Sequence, residues 1–155
     1  MRSAAAALRF NTMKTIPFIS SAPQTDLGLF FLRLSSSLLL LYVHGLPKVL
    51  HFHAELARIE DPFGMGPYMS LLPAILAEVV CPVLIILGVW ARLACLPVIG
   101  VLLVAMLFVH PDWSVAEGQF GWLLLIIFIT QAITGPGRWC IGNNTKQGLH
   151  YGTSK

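Results

Sequence analysis

Residues 71–90 read LLPAILAEVVCPVLIILGVW, an apolar stretch in which Glu78 is the one charged side chain. A helix of about 20 predominantly apolar residues is long enough to cross a lipid bilayer. The stretch is therefore predicted to span a membrane with a carboxyl group near its middle. Ionisable residues at that depth usually face the interior of a helix bundle and mark a binding or proton-handling site.

The overall composition also indicates a membrane protein. Hydrophobic residues make up 56% of the 155 residues, and charged residues only 11%, whereas a soluble domain carries about 25% charged residues. The lipid bilayer is therefore the first predicted partner, and the chain length favours one domain. The net charge of +3 gives no indication of nucleic-acid binding. The three cysteines form no C-x-x-C pair, so neither a disulfide framework nor a thiol redox motif is predicted.

Four apolar stretches are long enough, or nearly so, to cross the bilayer. They are residues 27–49, 71–90, 93–110 and 118–134. Inside lipid each stretch must satisfy its own backbone hydrogen bonds, which requires helices. The link between the second and third stretches is so short that these two must be antiparallel neighbours. Residues 27–138 are therefore predicted to form an all-α, integral membrane four-helix bundle.

Basic residues predict the orientation of this bundle. Lys and Arg are concentrated in the N-terminal tail, the second link and the C-terminal tail, whereas the third loop carries acidic residues alone. The positive-inside rule then places both termini in the cytoplasm. Residues 1–26 are expected to be a flexible N-terminal tail and residues 139–155 a cytoplasmic C-terminal tail. Met13 is as plausible a translation start as Met1.

The first loop, Leu50–Ser70, is too long for a tight turn and is rich in His, Pro, Gly and aromatic residues. We expect a short amphipathic helix around His53–Ile59. A turn over Asp61–Gly64 should follow, because Asp and Pro favour the first positions of a turn. The loop is expected to lie at the outer membrane surface as a lid over the bundle.

Polar residues of the first span fall on one side of a helix. Offsets of four, eleven and fifteen residues return to roughly the same helical face. The residues so aligned are Arg33, Ser37, His44 and Lys48. Such a face is too polar for contact with lipid, so it is predicted to point into the bundle.

Membrane depth groups a second set of residues into one outer layer. The layer contains His44, Lys48, Glu78 and His110. It would place one carboxylate near one ammonium group and two imidazoles. Pro82 has no N–H and therefore removes the usual hydrogen-bond donor to the carbonyl of Glu78. The candidate site thus offers both a carboxylate and a backbone acceptor.

The remaining charged and histidine residues of the spans have simpler interpretations. Arginines at helix ends commonly extend toward lipid headgroups, so Arg33, Arg92 and Arg138 are predicted to be lipid or interface anchors. Bis-His ligation of a haem requires two imidazoles, which His44 and His110 could supply from different helices. However, His44 and His110 lie near helix ends beside prolines, so haem is disfavoured. No metal site is predicted.

Short motifs occur along the chain in a characteristic order. They are R-L-S at Arg33, G-L-P-K ending at Lys48, A-E at Glu78, L-G-V-W-A-R ending at Arg92, then His110, and G-P-G-R at Gly135–Arg138. In this order the chain resembles DoxX-like membrane proteins over about Leu27–Ile141. The resemblance implies a four-helix, multi-pass protein of the bacterial inner membrane. It also implies a link to quinol oxidase, thiosulfate:quinone oxidoreduction or oxidative-stress assemblies, in which family members are small subunits.

Two functional hypotheses follow. In the first, the chain is an accessory subunit of a larger quinone-linked membrane oxidoreductase. Glu78 would then be the catalytic proton-handling group, and His44, Lys48 and His110 would bind the quinone head. In the second, the chain is a non-catalytic scaffold or stability subunit in which Glu78 and Lys48 form a packing pair. A homo-oligomer is compatible with either hypothesis.

The motifs that are missing from the sequence narrow the first hypothesis. The chain has no P-loop and no glycine fingerprint for a flavin or nicotinamide cofactor. No redox centre is evident in the chain, so electrons would have to come from a partner protein or a bound quinone. Small-solute transport is disfavoured, because the four short spans show no inverted repeat.

Overall fold

The computed structural model describes residues 22–141, which form helices and connecting turns with no strand in that range. We number five helices. Helix α1 comprises Ala22–Leu40, a π-helical turn Leu41–Gly45, and Leu46–Leu50, and the short helix α2 is Phe52–Leu56. Helix α3 comprises Pro67–Ile75, a π-helical turn Leu76–Val80, and Cys81–Leu87. Helix α4 comprises Ala91–Val104 and a π-helical turn Ala105–Val109, and α5 is Gln119–Thr134. The all-helical prediction is confirmed for these residues.

Three of the helices have the length and composition of membrane spans. They are α1, α3 and α4, each of which is long and apolar enough to cross a bilayer. Helix α5 is equally apolar but has 16 residues, which corresponds to about 24 Å. That is shorter than the roughly 30 Å hydrocarbon core. The length criterion therefore identifies three of the four expected spans.

Several helix boundaries differ from those expected from the sequence, among them the start of the second span, which lies at Pro67 instead of residue 71. The first helix already includes Ala22, five residues before the expected start at residue 27. The second span ends at Leu87 instead of residue 90, because Gly88 adopts a left-handed conformation with φ 75°. Glycine takes that conformation without the penalty of a Cβ atom and commonly ends a helix. The predicted tails over residues 1–21 and 142–155 lie outside the described residues.

The helices enclose an apolar core. Helix α4 packs between α3 and α5, and α1 contacts both α3 and α5. The core residues are Leu40, Cys81, Ile85, Ala94, Cys95, Val98, Leu124 and Phe128. Several of them are small, which allows helices to approach closely where lipid provides no hydrophobic driving force for their association.

In α1, α3 and α4 the second residue after the π-helical turn is a proline. The turns Leu41–Gly45, Leu76–Val80 and Ala105–Val109 are followed, after one intervening residue, by Pro47, Pro82 and Pro111. In each case the N–H of the intervening residue donates to the carbonyl five residues earlier. Proline lacks an N–H and its ring disturbs the preceding turn. Local π adjustments of this kind satisfy backbone groups inside a membrane.

The π-helical turns of α1 and α3 touch at Gly45. This glycine is buried, and a Cβ atom added to it would collide with the carbonyl oxygen of Glu78 and lie 3.0 Å from a methyl group of Val79. A side chain at this position would therefore push the two helices apart. Gly45 sets the separation of α1 and α3 beside Glu78.

We expect Gly45→Ala to lower the stability of the protein by about 1–3 kcal/mol, the usual cost of overpacking a well-packed contact. Thermal unfolding in a mild detergent measures this change. The matched control is Gly28→Ala in the same helix, where an added Cβ atom meets nothing within 4 Å. The control should be neutral or slightly stabilising, because Ala favours a helix over Gly. Equal melting temperatures for Gly45→Ala and the wild type would contradict the assignment.

Candidate functional site

An ion pair joins α1 to α3 in the half of the protein that carries the first loop. The Nζ atom of Lys48 lies 2.5 Å from Oε2 of Glu78, and the two side chains are only 17% and 11% exposed. Lys48 Nζ also lies 3.4 Å from the backbone carbonyl oxygen of His44, to which it donates. The ammonium group is thus held between a carboxylate and a backbone acceptor. Removing either charge would leave its partner uncompensated at a largely buried position, which is costly.

A cavity of about 410 Å³ adjoins this ion pair. Lys48 and His110 line it, as do Pro73 and Ala74 of α3 and the face of α4 that contains Val104. The first loop forms its roof and adds three charged residues to the lining, Glu55, Arg58 and Glu60. Its size lies within the range of small-molecule pockets, which have mostly apolar walls and a few polar groups that fix orientation. Lys48 therefore contributes to both the ion pair and the cavity.

The structure divides the predicted outer layer between two places. Glu78 pairs with Lys48 behind the cavity wall, whereas His110 lines the cavity itself. The ring of His110 stacks on Trp113, with ring centroids 3.8 Å apart and an interplanar angle of 5°. This stacking fixes the imidazole just after the end of α4. His44 is half-buried and approaches Lys48 through its carbonyl group.

Asp61 organises the roof of the cavity. Its carboxylate accepts hydrogen bonds from the N–H of Gly66 at 2.6 Å, the N–H of Met65 at 3.0 Å and the hydroxyl of Ser70 at 2.9 Å. Its carbonyl accepts from the N–H of Gly64 at 3.3 Å, which closes the turn expected over these residues. These donors, that of Gly66 first, hold the pKa of Asp61 below its usual value. The ionised carboxylate thus ties the loop to the start of α3.

A second contact fixes the roof from the other side. The ring of Phe63 in the loop packs against that of Phe108 in α4, with centroids 5.4 Å apart. The loop is therefore attached to α3 by Asp61 and to α4 by Phe63. It covers one end of the cavity; its position at the outer membrane surface stays a prediction. The expected amphipathic helix is the shorter α2, Phe52–Leu56.

Arg33 occupies a different environment from the one expected. Its side chain was predicted to reach lipid headgroups, but it is only 3% exposed. The guanidinium group donates to the carbonyl of Pro136 at 2.9 Å and to that of Trp139 at 2.5 Å. It also lies over the ring of Phe30, 5.4 Å from the centroid. The carbonyls after the last helix need donors, and Arg33 supplies them from α1.

Arg92 and Arg138 remain exposed at the same end of the protein. Arg92 donates to the carbonyl of Thr134, the last residue of α5, at 3.3 Å. The N–H of Arg138 donates to the carboxylate of Asp26 at 3.1 Å, and its guanidinium Nε atom lies 4.0 Å from the same carboxylate. The guanidinium of Arg138 is largely exposed. Contact of these two arginines with lipid headgroups stays a prediction.

A buried polar contact between α1 and α5 was missed by sequence reasoning. The amide nitrogen of Gln131 donates to the hydroxyl of Ser36 at 2.8 Å, and that hydroxyl donates to the carbonyl of Leu32 at 2.6 Å. Gln131 is 4% exposed. The available signal was an amide side chain in a half of α5 whose other polar residues, Thr130 and Thr134, bond to their own helix backbone. Contacts such as that between Gln131 and Ser36 hold helices together inside membranes.

Long apolar helices around a buried ion pair define a helical membrane protein. Residues 28–111 match the DoxX family, which is more than half of the chain, and the protein belongs to that family. The matched residues contain Lys48, Glu78, the roof of the cavity and the whole of α4, but not α5. No curated protein and no solved structure shows a significant match to the chain.

The Lys48–Glu78 contact can be measured with a double-mutant cycle of Lys48→Met and Glu78→Gln. Each single substitution should destabilise the protein, and the double variant should be more stable than the sum of the two effects predicts. We expect a coupling free energy of about 1–2 kcal/mol, as for polar contacts inside membranes. Unfolding in mixed micelles provides the four free energies. Strict additivity would show that the contact contributes nothing to stability.

Asp61 should make the roof of the cavity sensitive to acid. Because its folded pKa is lowered, its stabilising effect is complete above the ordinary Asp pKa and is lost as the pH falls through the folded value. We expect the exchange protection of the Met65 and Gly66 amides to decrease as the pH falls below about 4.

Asp61→Asn should reduce this protection already at neutral pH and remove most of the further decrease in acid. Glu60→Gln, a neutralised carboxylate in the same loop, is the control and should behave like the wild type. Protection that is independent of pH in the wild type would show that Asp61 does not tie the loop.

Proposed function

We propose that the protein is an accessory membrane subunit of a quinone-linked oxidoreductase and that its outer site receives the quinone head. The observation that carries this proposal is that Lys48 belongs both to the ion pair and to the lining of the cavity. Its side chain lines a cavity whose walls on α3 and α4 are mostly apolar, while its ammonium group pairs with the buried carboxylate of Glu78. A hydrogen-bond donor, a proton acceptor and an apolar chamber thus lie next to one another.

The residues present fit a quinone. A quinone head has carbonyl oxygens that accept hydrogen bonds and an apolar ring that avoids water. Lys48 and His110, which line the same cavity, would donate to such oxygens, and the walls formed by α3 and α4 would surround the ring. When bound, a quinone supplies two-electron chemistry coupled to the uptake and release of protons.

The chain's own residues would hold and move the proton. Glu78 lies behind Lys48, so its Oε2 atom is the acceptor or donor for a proton that passes through the ammonium group. His44 orients Lys48 by accepting a hydrogen bond at its carbonyl oxygen. His110, fixed by Trp113, binds the ligand on the opposite side of the cavity. Proton transfer by a positioned carboxylate is general acid–base catalysis.

The same proposal requires a partner and an orientation. The chain carries no sequence motif for a redox centre, so the electrons would come from a larger membrane oxidoreductase complex; a homo-oligomer is the alternative assembly. We infer that residues 27–138 cross the bacterial inner membrane four times as a multi-pass four-helix bundle. The contacts of α5 with α1 and α4 support a fourth crossing. The distribution of basic residues supports cytoplasmic termini, with residues 139–155 as a tail on that side.

A second function is favoured by the closed geometry of the polar contacts. Lys48 and Glu78 bond directly to each other, and Gln131 bonds directly to Ser36. Buried pairs of this kind can fix helix register without any chemistry. In this alternative the protein is a scaffold or stability subunit, and its outer site binds nothing.

Glu78→Gln distinguishes the two functions. As a proton-handling group, Glu78 should contribute about 10²–10⁴-fold to turnover, so we expect a loss of about 100-fold in quinone-dependent turnover of the assembled complex at unchanged yield. Glu117→Gln makes the same chemical change in the third loop, where Glu117 bonds to Ser114, and should leave turnover unchanged.

The measurement combines turnover with the amount of complex recovered in native lipids. Full turnover in a fully assembled Glu78→Gln complex would refute the proton-handling role. Reduced recovery with normal turnover per assembled complex would establish the scaffold function instead.

A further inference from the structure

The cavity continues far below its roof. Its lining extends along α4 from His110 down to Gly100, a distance of about 15 Å at the rise of an α-helix. Gly100 is the midpoint of the span Ala91–Val109. The cavity therefore extends from the level of the outer loop to the middle of the apolar helix.

Gly100 leaves the lower end of the cavity open. The residue is exposed, and a Cβ atom added to it would meet nothing within 4 Å. The neighbouring lining residues Val101 and Val104 are apolar and half-buried. At this depth the surroundings of the helix are hydrocarbon, because α4 has the length and hydropathy of a span. The open end thus faces lipid acyl chains.

The outer end of the cavity is more restricted. Asp61 ties the roof to Gly66 and Ser70 near the start of α3, and Phe63 packs on Phe108 of α4. The lining at this end also includes the exposed, charged residues Arg58 and Glu60, so an apolar tail that entered from water would have to pass them. A ligand that is already dissolved in the membrane meets no such barrier beside Gly100.

We propose that the cavity is filled sideways from the bilayer by a membrane-dissolved amphiphile, whose polar head lies at Lys48 and whose apolar tail leaves past Gly100. The identification of the head as a quinone rests on the proposed function. Gly100 is then a specificity-determining residue, because the lack of a side chain keeps the exit open for the tail. The ligand class is a long-chain quinone, whose tail adds affinity that the soluble, tail-less analogue lacks.

Gly100→Phe tests this proposal, with Gly28→Phe as the matched control. Both glycines are exposed helix residues at which an added Cβ meets nothing within 4 Å, but Gly28 does not line the cavity. Both variants should therefore unfold at temperatures close to that of the wild type. The probes are a long-chain ubiquinone and the corresponding benzoquinone without a tail, titrated against protein in nanodiscs.

We expect the wild type and Gly28→Phe to bind the long-chain quinone equally. Gly100→Phe should bind it about tenfold or more weakly, because the tail loses its apolar contacts, while its affinity for the tail-less quinone stays the same. Equal binding of the long-chain quinone by Gly100→Phe and the wild type would overturn lateral entry and leave the quinone site standing.

Failure of the wild type to bind either quinone would overturn the proposed function. Lateral entry is then decided by native mass spectrometry of amphiphiles that remain bound after purification. An amphiphile retained by the wild type and Gly28→Phe, but lost from Gly100→Phe, supports lateral entry by a different head group. Equal retention by all three proteins, or none in the wild type, overturns it.

Discussion

The ion pair between Lys48 and Glu78 is the contact on which the half of the protein next to the first loop depends. Two charges at largely buried positions in an apolar helix bundle need each other at hydrogen-bond distance, and that distance requires α1 and α3 to lie very close. Gly45 permits this approach because its missing side chain makes room for the carbonyl of Glu78. The π-helical turns on both helices, each placed before a proline, bring these residues to the crossing. The ion pair therefore depends on the backbone geometry that lets α1 and α3 approach each other at Gly45.

The protein has two polar regions with an apolar layer between them. The ion pair and cavity lie on the side of the first loop, whereas Arg33, Ser36 and Gln131 form contacts closer to the other end. Leu40, which lies between Ser36 and Lys48 along α1, and Phe128 are both almost fully buried and belong to the apolar core.

The sequence carries different amounts of information about these features. Helix positions follow from apolar runs in the sequence. The spacing of Arg33 and Lys48 on one helical face correctly places their side chains toward the other helices. Helix position and helical face could be predicted because each depends on local periodicity. The partner of Arg33 could not be predicted, because its acceptors lie more than 100 residues away, at Pro136 and Trp139. The π-helical turns were also missed. A proline in the sequence shows that one backbone N–H donor is absent, but the hydrogen bond to the carbonyl five residues earlier that compensates for it depends on how the helix packs. The cavity exists only once the first loop is tied to α3 and α4.

The DoxX match covers the part of the chain that forms the ion pair and the cavity. Residues 28–111 include the ion pair, the roof and the full length of α4, and therefore every group that lines the cavity. Helix α5 lies beyond the match and adds Gln131 to the α1 interface. The segment after α5 provides the carbonyls of Pro136 and Trp139 as acceptors for Arg33. None of the cavity-lining residues belongs to α5, but α5 packs against α4, which forms one wall of the cavity.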